Sequence, residues 1–111
     1  MTEADPLYND WIHQQLRVQP DALAVHDLTD NRAFTWRQFN DRVDALAQRL
    51  CDKGTKVGDR IAYLGLNSSD VVEIFFATVR IGAVYVPLNF RLTPPELSFI
   101  IGDCTPSAVF Y

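Results

Sequence analysis

Asn89 and Arg91 are the polar side chains of this sequence best placed to meet a ligand. They stand in the run from Val79 to Glu96, Val-Arg-Ile-Gly-Ala-Val-Tyr-Val-Pro-Leu-Asn-Phe-Arg-Leu-Thr-Pro-Pro-Glu. Gly82 can take the left-handed conformation that closes a helix, Ala83 to Val86 is a short apolar run of strand type, and Pro87 is expected to stop ladder pairing. Asn89 and Arg91 would then follow the carboxyl end of a central strand, where open α/β sheets hold their ligands. Against a chemical role stands a local one, because an Asn side chain bonds its own backbone two positions on and so fixes a turn. Tyr85 faces away from Val84 and Val86 in a strand and is expected to pack in the core rather than line a pocket.

Other candidates carry less. Gly65-Leu66-Asn67-Ser68 occupies the strand-to-helix position where Rossmann folds bind pyrophosphate on helix amides, but it has one glycine rather than three, so a plain helix cap is favoured. His13 falls on the polar side of an expected surface helix and His26 on a half-exposed strand, each without a sequence neighbour to act with. Cys51 and Cys104 have no Cys or His at metal spacing and are expected as inert packing thiols near helix ends, a disulfide being the lesser alternative. No Walker-type loop, His-Glu zinc pattern, Ser-His-Asp set or Cys-x-x-Cys occurs.

The 111 residues suffice for one small domain or part of one, and a composition 48% hydrophobic and 22% charged, with 7 Phe, 4 Tyr and 2 Trp, is that of a folded core. A net charge of -4 and a pI near 4.9, without a run of Lys or Arg, argue against nucleic acid. The apolar stretch Val71 to Val79 is broken by Glu73 and falls far short of the roughly 20 residues of a membrane span. Asp5, Asp10, Asp21, Asp27 and Asp30 leave no secretory or transit pattern, so the protein is expected in the cytoplasm.

The elements that must position Asn89 and Arg91 follow from periodicity. Asp5-Pro6 has the form of an N-cap with proline at the first helical position, and Leu7, Trp11, Ile12, Leu16 and Val18 recur at helical spacing before Pro20. Ala22 to Leu28 alternates, Thr29-Asp30-Asn31 turns, and Arg32 to Thr35 returns as an antiparallel strand. Thr35 and Gln38 form a capping-box pattern opening a helix whose core stripe is Trp36, Phe39, Val43, Leu46 and Leu50, ended by Gly54. Arg60 to Leu66 is expected as a strand buried on both faces, and Asn67 to Asp70 as the cap of a helix from Val71 to Ile81 that is apolar on nearly every side. Thr93-Pro94-Pro95-Glu96 opens a short helix that Gly102 can close, and Ser107 to Tyr111 starts another strand. The alternation predicts an α/β fold with a doubly wound sheet and a small antiparallel hairpin near the amino terminus. Because the chain stops within that last strand, residues 1–111 are expected to be a partial domain, truncated at the carboxyl side, whose first partner is the rest of its own chain.

Several runs resemble one family. Phe34-Thr35-Trp36-Arg37-Gln38-Phe39 resembles the Leu-Thr-Tyr-x-Glu-Leu run that opens the adenylate-forming superfamily of acyl- and aryl-CoA synthetases, luciferases and peptide-synthetase adenylation domains. Val57-Gly58-Asp59-Arg60-Ile61-Ala62 is similar to its Gly-Asp-Arg-Val-Ala strand entry, and Asn67-Ser68 to its Asn-Ser helix start. Ile81 to Asn89 is similar to its second core motif, Lys-Ala-Gly-Ala-x-x-x-Pro-Leu-Asn. The resemblance runs in order from about Trp11 to Tyr111. The departures are Phe90 where proline is common, Gln38 for Glu, and Arg80-Ile81 for Lys-Ala.

Within that superfamily, Pro-Leu-Asn-x-Arg-Leu-Thr-x-x-Glu-Leu is more typical of CoA ligases, which implies the amino-terminal (AMP-binding) segment of an ATP-dependent acyl-CoA ligase acting on a fatty or aryl acid. Such enzymes use ATP, Mg2+ and CoA with a carboxylic acid, forming an acyl-adenylate and then a thioester. The resemblance also implies that the phosphate loop, the adenine and ribose contacts, the Mg-binding Glu and the catalytic Lys all lie beyond Tyr111. No catalytic or metal residue, and no cofactor bound by the segment alone, is expected among these 111, and the piece alone is expected to be inactive. One carry-over is Arg91, matched to an arginine that in some CoA ligases lies near the phosphates of the CoA nucleotide, where a guanidinium binds bidentately. Two alternatives remain open: an adenylation domain loading a carrier protein, against which Asn89 argues, and a free-standing non-catalytic α/β module.

Overall fold

The computed structural model describes residues 11–65 and 68–111; the expected cap at Asp5-Pro6, together with Leu66 and Asn67, lies outside them. The chain divides into two compact units, the first ending at Arg42 and the second running from Val43 to Tyr111.

In the first unit, helix α1 (Trp11–Val18) buries Ile12 completely, while Trp11 and Val18 are exposed. Helical spacing thus located the element, but among the described residues of the proposed stripe only Ile12 is fully buried. Strands β1 (Leu23–Asp27) and β2 (Arg32–Thr35) pair antiparallel as expected. The register slips between Leu23 and Val25, so the simple alternation of Leu23 with Val25 is broken by a bulge and Leu23 is exposed. Asp27 builds the turn, its Oδ1 accepting from the amides of Thr29 at 3.1 Å and Asp30 at 3.3 Å, with Asn31 left-handed at φ 53. The Thr35/Gln38 capping box closes both ways: the Thr35 amide donates to Gln38 Oε1 at 2.9 Å, and the Gln38 amide to Thr35 Oγ1 at 3.2 Å. It starts helix α2 (Trp36–Asp52).

In the second unit the later part of α2 buries Val43, Leu46, Ala47 and Leu50 at steps of three and four. Gly54 follows at φ 94. Strand β3 (Arg60–Leu64) lies centrally in a parallel sheet of order β4-β3-β5, flanked by β4 (Val84–Leu88) and β5 (Ala108–Phe110). Ile61 and Ala62, successive residues pointing to opposite faces, are both fully buried, so the middle of β3 is covered on both sides. Helix α3 (Ser69–Arg80) packs Phe75 edge-on against Tyr85 of β4 with ring centroids 5.6 Å apart, yet Phe75 and Val79 keep exposed surface, because this helix is apolar on more sides than the sheet can cover. Arg80 Nη1 reaches Asp44 Oδ1 of α2 at 2.7 Å.

Two expectations about β4 are corrected. Pro87 does not stop pairing: it stands opposite Tyr63, and the ladder continues to Leu88 opposite Leu64. Nor is β4 central, because it is an outer strand of the described sheet. The two corrections share one cause. The Val84 amide donates to Asp59 O at 2.7 Å, on the β3 side, so by alternation Val86 and Leu88 also face β3 while Tyr85 and Pro87 turn their backbone nitrogens to the open edge. A proline there forfeits no ladder bond.

Helix α4 (Pro94–Cys104) is corrected at its far end. Gly102 lies inside it, and the stop is Thr105, left-handed at φ 44, whose amide still reaches Ile101 O at 2.9 Å. Pro106 behind it prevents continuation. Cys104 is the last helical residue and Cys51 sits near the end of α2, both as free thiols; Cys51 is exposed rather than packed.

Candidate functional site

The turn that carries Arg91 is built by its own residues. Asn89 Oδ1 accepts from the Arg91 amide at 2.9 Å, the Asx geometry expected of it, and the Leu92 amide donates to Asn89 O at 3.1 Å. Leu88, buried, anchors the incoming strand, and the Thr93 capping box anchors the outgoing helix. Phe90 and Arg91 are left as the two middle residues of a turn pinned at both ends. Both are exposed, and the guanidinium carbon of Arg91 lies 5.5 Å from the centroid of the Phe90 ring, within cation–π range.

Arg91 makes no ion pair among the described residues, so no acidic neighbour among them locks its side chain into the loop. Among those residues its N–H edge faces no protein acceptor. Sequence reasoning singles out Arg91 and notes Phe90 only as a departure; the signal that was there to read is an aromatic next to a basic residue at the tip of a two-ended turn.

The neighbouring helix start adds no anion cradle. Pro94 and Pro95 have no N–H, the Glu96 amide donates to Thr93 Oγ1, and the Leu97 amide to Thr93 O. Glu96 itself occupies the first turn, its Oε1 accepting from the Thr93 amide at 2.9 Å and the Thr93 hydroxyl at 2.8 Å. Those bonds, the backbone one foremost, hold its carboxyl below the ordinary glutamate range. The cation that the turn itself offers to a ligand anion is therefore Arg91.

Ser68, the described end of the β3-to-α3 turn, is a helix cap, as favoured. Ser68 Oγ accepts from the Asp70 amide at 3.2 Å, the Val71 amide donates to Ser68 O, and the acid Asp70 already complements the helix dipole. At Gly65 a Cβ would stand 2.8 Å from the Tyr63 hydroxyl, so that ring end would have to shift to admit one. Tyr85 is half-buried against Phe75, as core packing predicts, and burial, with Tyr63 nearby, raises its phenol above the ordinary value. His13 and His26 are exposed, and His26 Nε2 lies 3.4 Å from Asn31 Oδ1. An open pocket of about 200 Å3 is lined by Leu46, Leu50, Arg49, Lys53 and β5. It lies on the β5 side of β3, whereas the Arg91 turn leaves β4 on the other. Among the described residues no group of His, Cys, Asp and Glu is arranged to hold a metal ion.

Comparison with known proteins gives this geometry its kinship. The family model of AMP-binding enzymes matches residues 12–111. A feruloyl-CoA synthase of an Amycolatopsis species is 40% identical over 101 residues, covering 91% of this chain and 20% of that protein. A fatty acid–[acyl-carrier-protein] ligase of Streptomyces coeruleorubidus is 39% identical over 83 residues, covering 75% of this chain and 16% of that protein. Among solved structures, a Mycobacterium tuberculosis fatty acyl CoA synthetase superposes with a TM-score of 0.84 at 34% identity, over 88% of this chain and 20% of that one. The chain thus spans about a fifth of the length of the feruloyl-CoA synthase and of the fatty acyl CoA synthetase. With nearly all of its residues inside the family match and its hairpin and parallel sheet reproduced in a solved relative, this chain belongs to the AMP-binding enzyme family.

Proposed function

We propose that these residues form the amino-terminal part of a longer AMP-forming acid–CoA ligase, acting on a fatty or aryl acid in the cytoplasm. The observation that carries this is the kinship, over nine-tenths of the chain, to a relative named for making an aryl-CoA thioester. Residues 1–111 are then a partial domain whose sheet and apolar α3 surface are completed by the rest of the protein. In the reaction, a carboxylate attacks the α-phosphorus of ATP and pyrophosphate leaves, giving an acyl-adenylate. The CoA thiolate then attacks the acyl carbon and AMP leaves, giving the thioester. Adenylation turns a poor leaving group into a good one. Mg2+ would supply charge neutralisation at the phosphates, from ligands outside this segment.

The role of the present residues is to bind and orient. Asn89 holds the turn, and Arg91 offers its N–H edge to a phosphate of the CoA nucleotide. Among the described residues no helix is long and apolar enough to cross a membrane. The test is acid-dependent exchange of pyrophosphate into ATP by the complete protein without CoA; exchange is expected, and its absence across fatty and aryl acids would contradict the proposal. A carrier protein is the rival acceptor, supported by the carrier-protein ligase among the relatives. Competition between CoA and a carrier protein for the same adenylate separates the two.

A further inference from the structure

We infer that Phe90 is a positioning residue for CoA selection, acting through Arg91; this rests on the proposed contact between Arg91 and a CoA phosphate. An exposed arginine on a loop ordinarily samples many rotamers and loses that freedom on binding, at a cost in affinity. Here the backbone of the turn is already fixed by the Asn89 side chain and the Leu92 amide, so the remaining freedom is in the arginine side chain itself. The Phe90 ring removes part of it. With the guanidinium carbon 5.5 Å from the ring centroid, the cation rests against the aromatic face, and that contact uses none of its five N–H donors. The donors stay available for the bidentate bonds a phosphate accepts. Among the described residues Arg91 has no ion pair to compete, and the prolines opening α4 leave the cation without helix amides to share the load.

The expected effects are modest for Phe90 and larger for Arg91. A cation–π contact at an exposed site corresponds to about a two- to five-fold change in equilibrium. The experiment measures kcat/KM of the complete enzyme with CoA and with pantetheine, which lacks the nucleotide and its phosphates, for Arg91→Ala, Phe90→Ala, Phe90→Trp and the Phe90→Ala/Arg91→Ala double variant. Pyrophosphate exchange serves as a control for adenylation. Arg91→Ala is expected to lose about ten-fold or more in the preference for CoA over pantetheine. Phe90→Ala should lose about two- to five-fold through KM for CoA alone, and Phe90→Trp should restore it. In the Arg91→Ala background, Phe90→Ala should have no further effect, because the ring acts only through the cation.

Three results overturn the inference, each in its own way. If Phe90→Ala leaves the preference intact while Arg91→Ala abolishes it, the positioning role fails and the phosphate contact stands. If the loss from Phe90→Ala persists without Arg91, the ring touches the nucleotide itself. If Arg91→Ala leaves the CoA preference and adenylation both unchanged, the phosphate contact on which the inference rests is wrong.

Discussion

Gly82 and Gly102 are both glycines in helix-ending sequence, and the structure assigns them opposite responses to a methyl group. Gly82, between α3 and β4, sits at φ 78, where an L side chain brings Cβ against the carbonyl and costs about 1–2 kcal/mol. A Cβ there would also stand 3.3 Å from Val57 Cγ2, but Val57 is exposed and can give way, so the backbone term decides. Gly102 lies within α4 with nothing within 4 Å of the place a Cβ would take, so alanine should stabilise it by about 0.5–1 kcal/mol. Amide hydrogen exchange in the complete protein reads both sites locally. The reporters for Gly82→Ala are the amide of Gly58, which donates to Gly82 O at 2.9 Å, and those of Ala83 and Val84, bonded to Thr78 O and Asp59 O. Their protection should fall by about 5- to 30-fold. For Gly102→Ala the Thr105 amide, bonded to Ile101 O, should gain about two- to five-fold. Unchanged protection at Gly58, Ala83 and Val84, or effects of the same sign at both glycines, would show that backbone conformation does not decide the two responses.

Glu96 gives a pH prediction. Its folded carboxyl titrates below the ordinary value, so its contribution to α4 is present above the unfolded glutamate pKa and is lost as pH falls through the lowered folded one. Helix α4 protection should therefore drop as pH falls below about 4.3, and Glu96→Gln should flatten that dependence; an identical profile in the variant would contradict the capping account. Asp44→Asn removes the exposed partner of Arg80 and should cost roughly 0.5–1 kcal/mol at low salt, with the difference shrinking in about 1 M salt, as read by urea midpoints. A salt-independent difference would show that the pair is not acting through charge.

What could be read from the sequence was what neighbouring residues settle among themselves. The Thr35/Gln38 and Thr93/Glu96 capping boxes, the Asn89 turn, the left-handed Gly82 and the α2 stripe from Phe39 to Leu50 each depend on residues close in sequence and stand as expected, while Trp36 at the head of that stripe is only half-buried. Most of the misplacements depend on distant partners. Whether Pro87 breaks a ladder turns on which side of β4 meets β3, and that is fixed by residues near Asp59. The end of α4 is the local exception: Pro106, four residues past Gly102, forbids continuation and sets the stop at Thr105, overriding the usual preference for glycine. Trp11 and Leu23 carry apolar periodicity yet lie exposed, because periodicity assigns a face without saying what covers it. At the site, Arg91 was legible as a type of residue in a type of place. The Phe90 ring beside it was legible only as an adjacency, since whether neighbouring side chains stack depends on the turn that holds them.

The proposed function makes one claim above all: the complete protein activates an acid as its adenylate and passes it to CoA. Product stoichiometry of the complete protein with ATP, Mg2+, CoA and a fatty or aryl acid decides it. One AMP, one pyrophosphate and one acyl-CoA are expected for each acid consumed. Formation of ADP and phosphate, or AMP release without any CoA thioester, would contradict the claim.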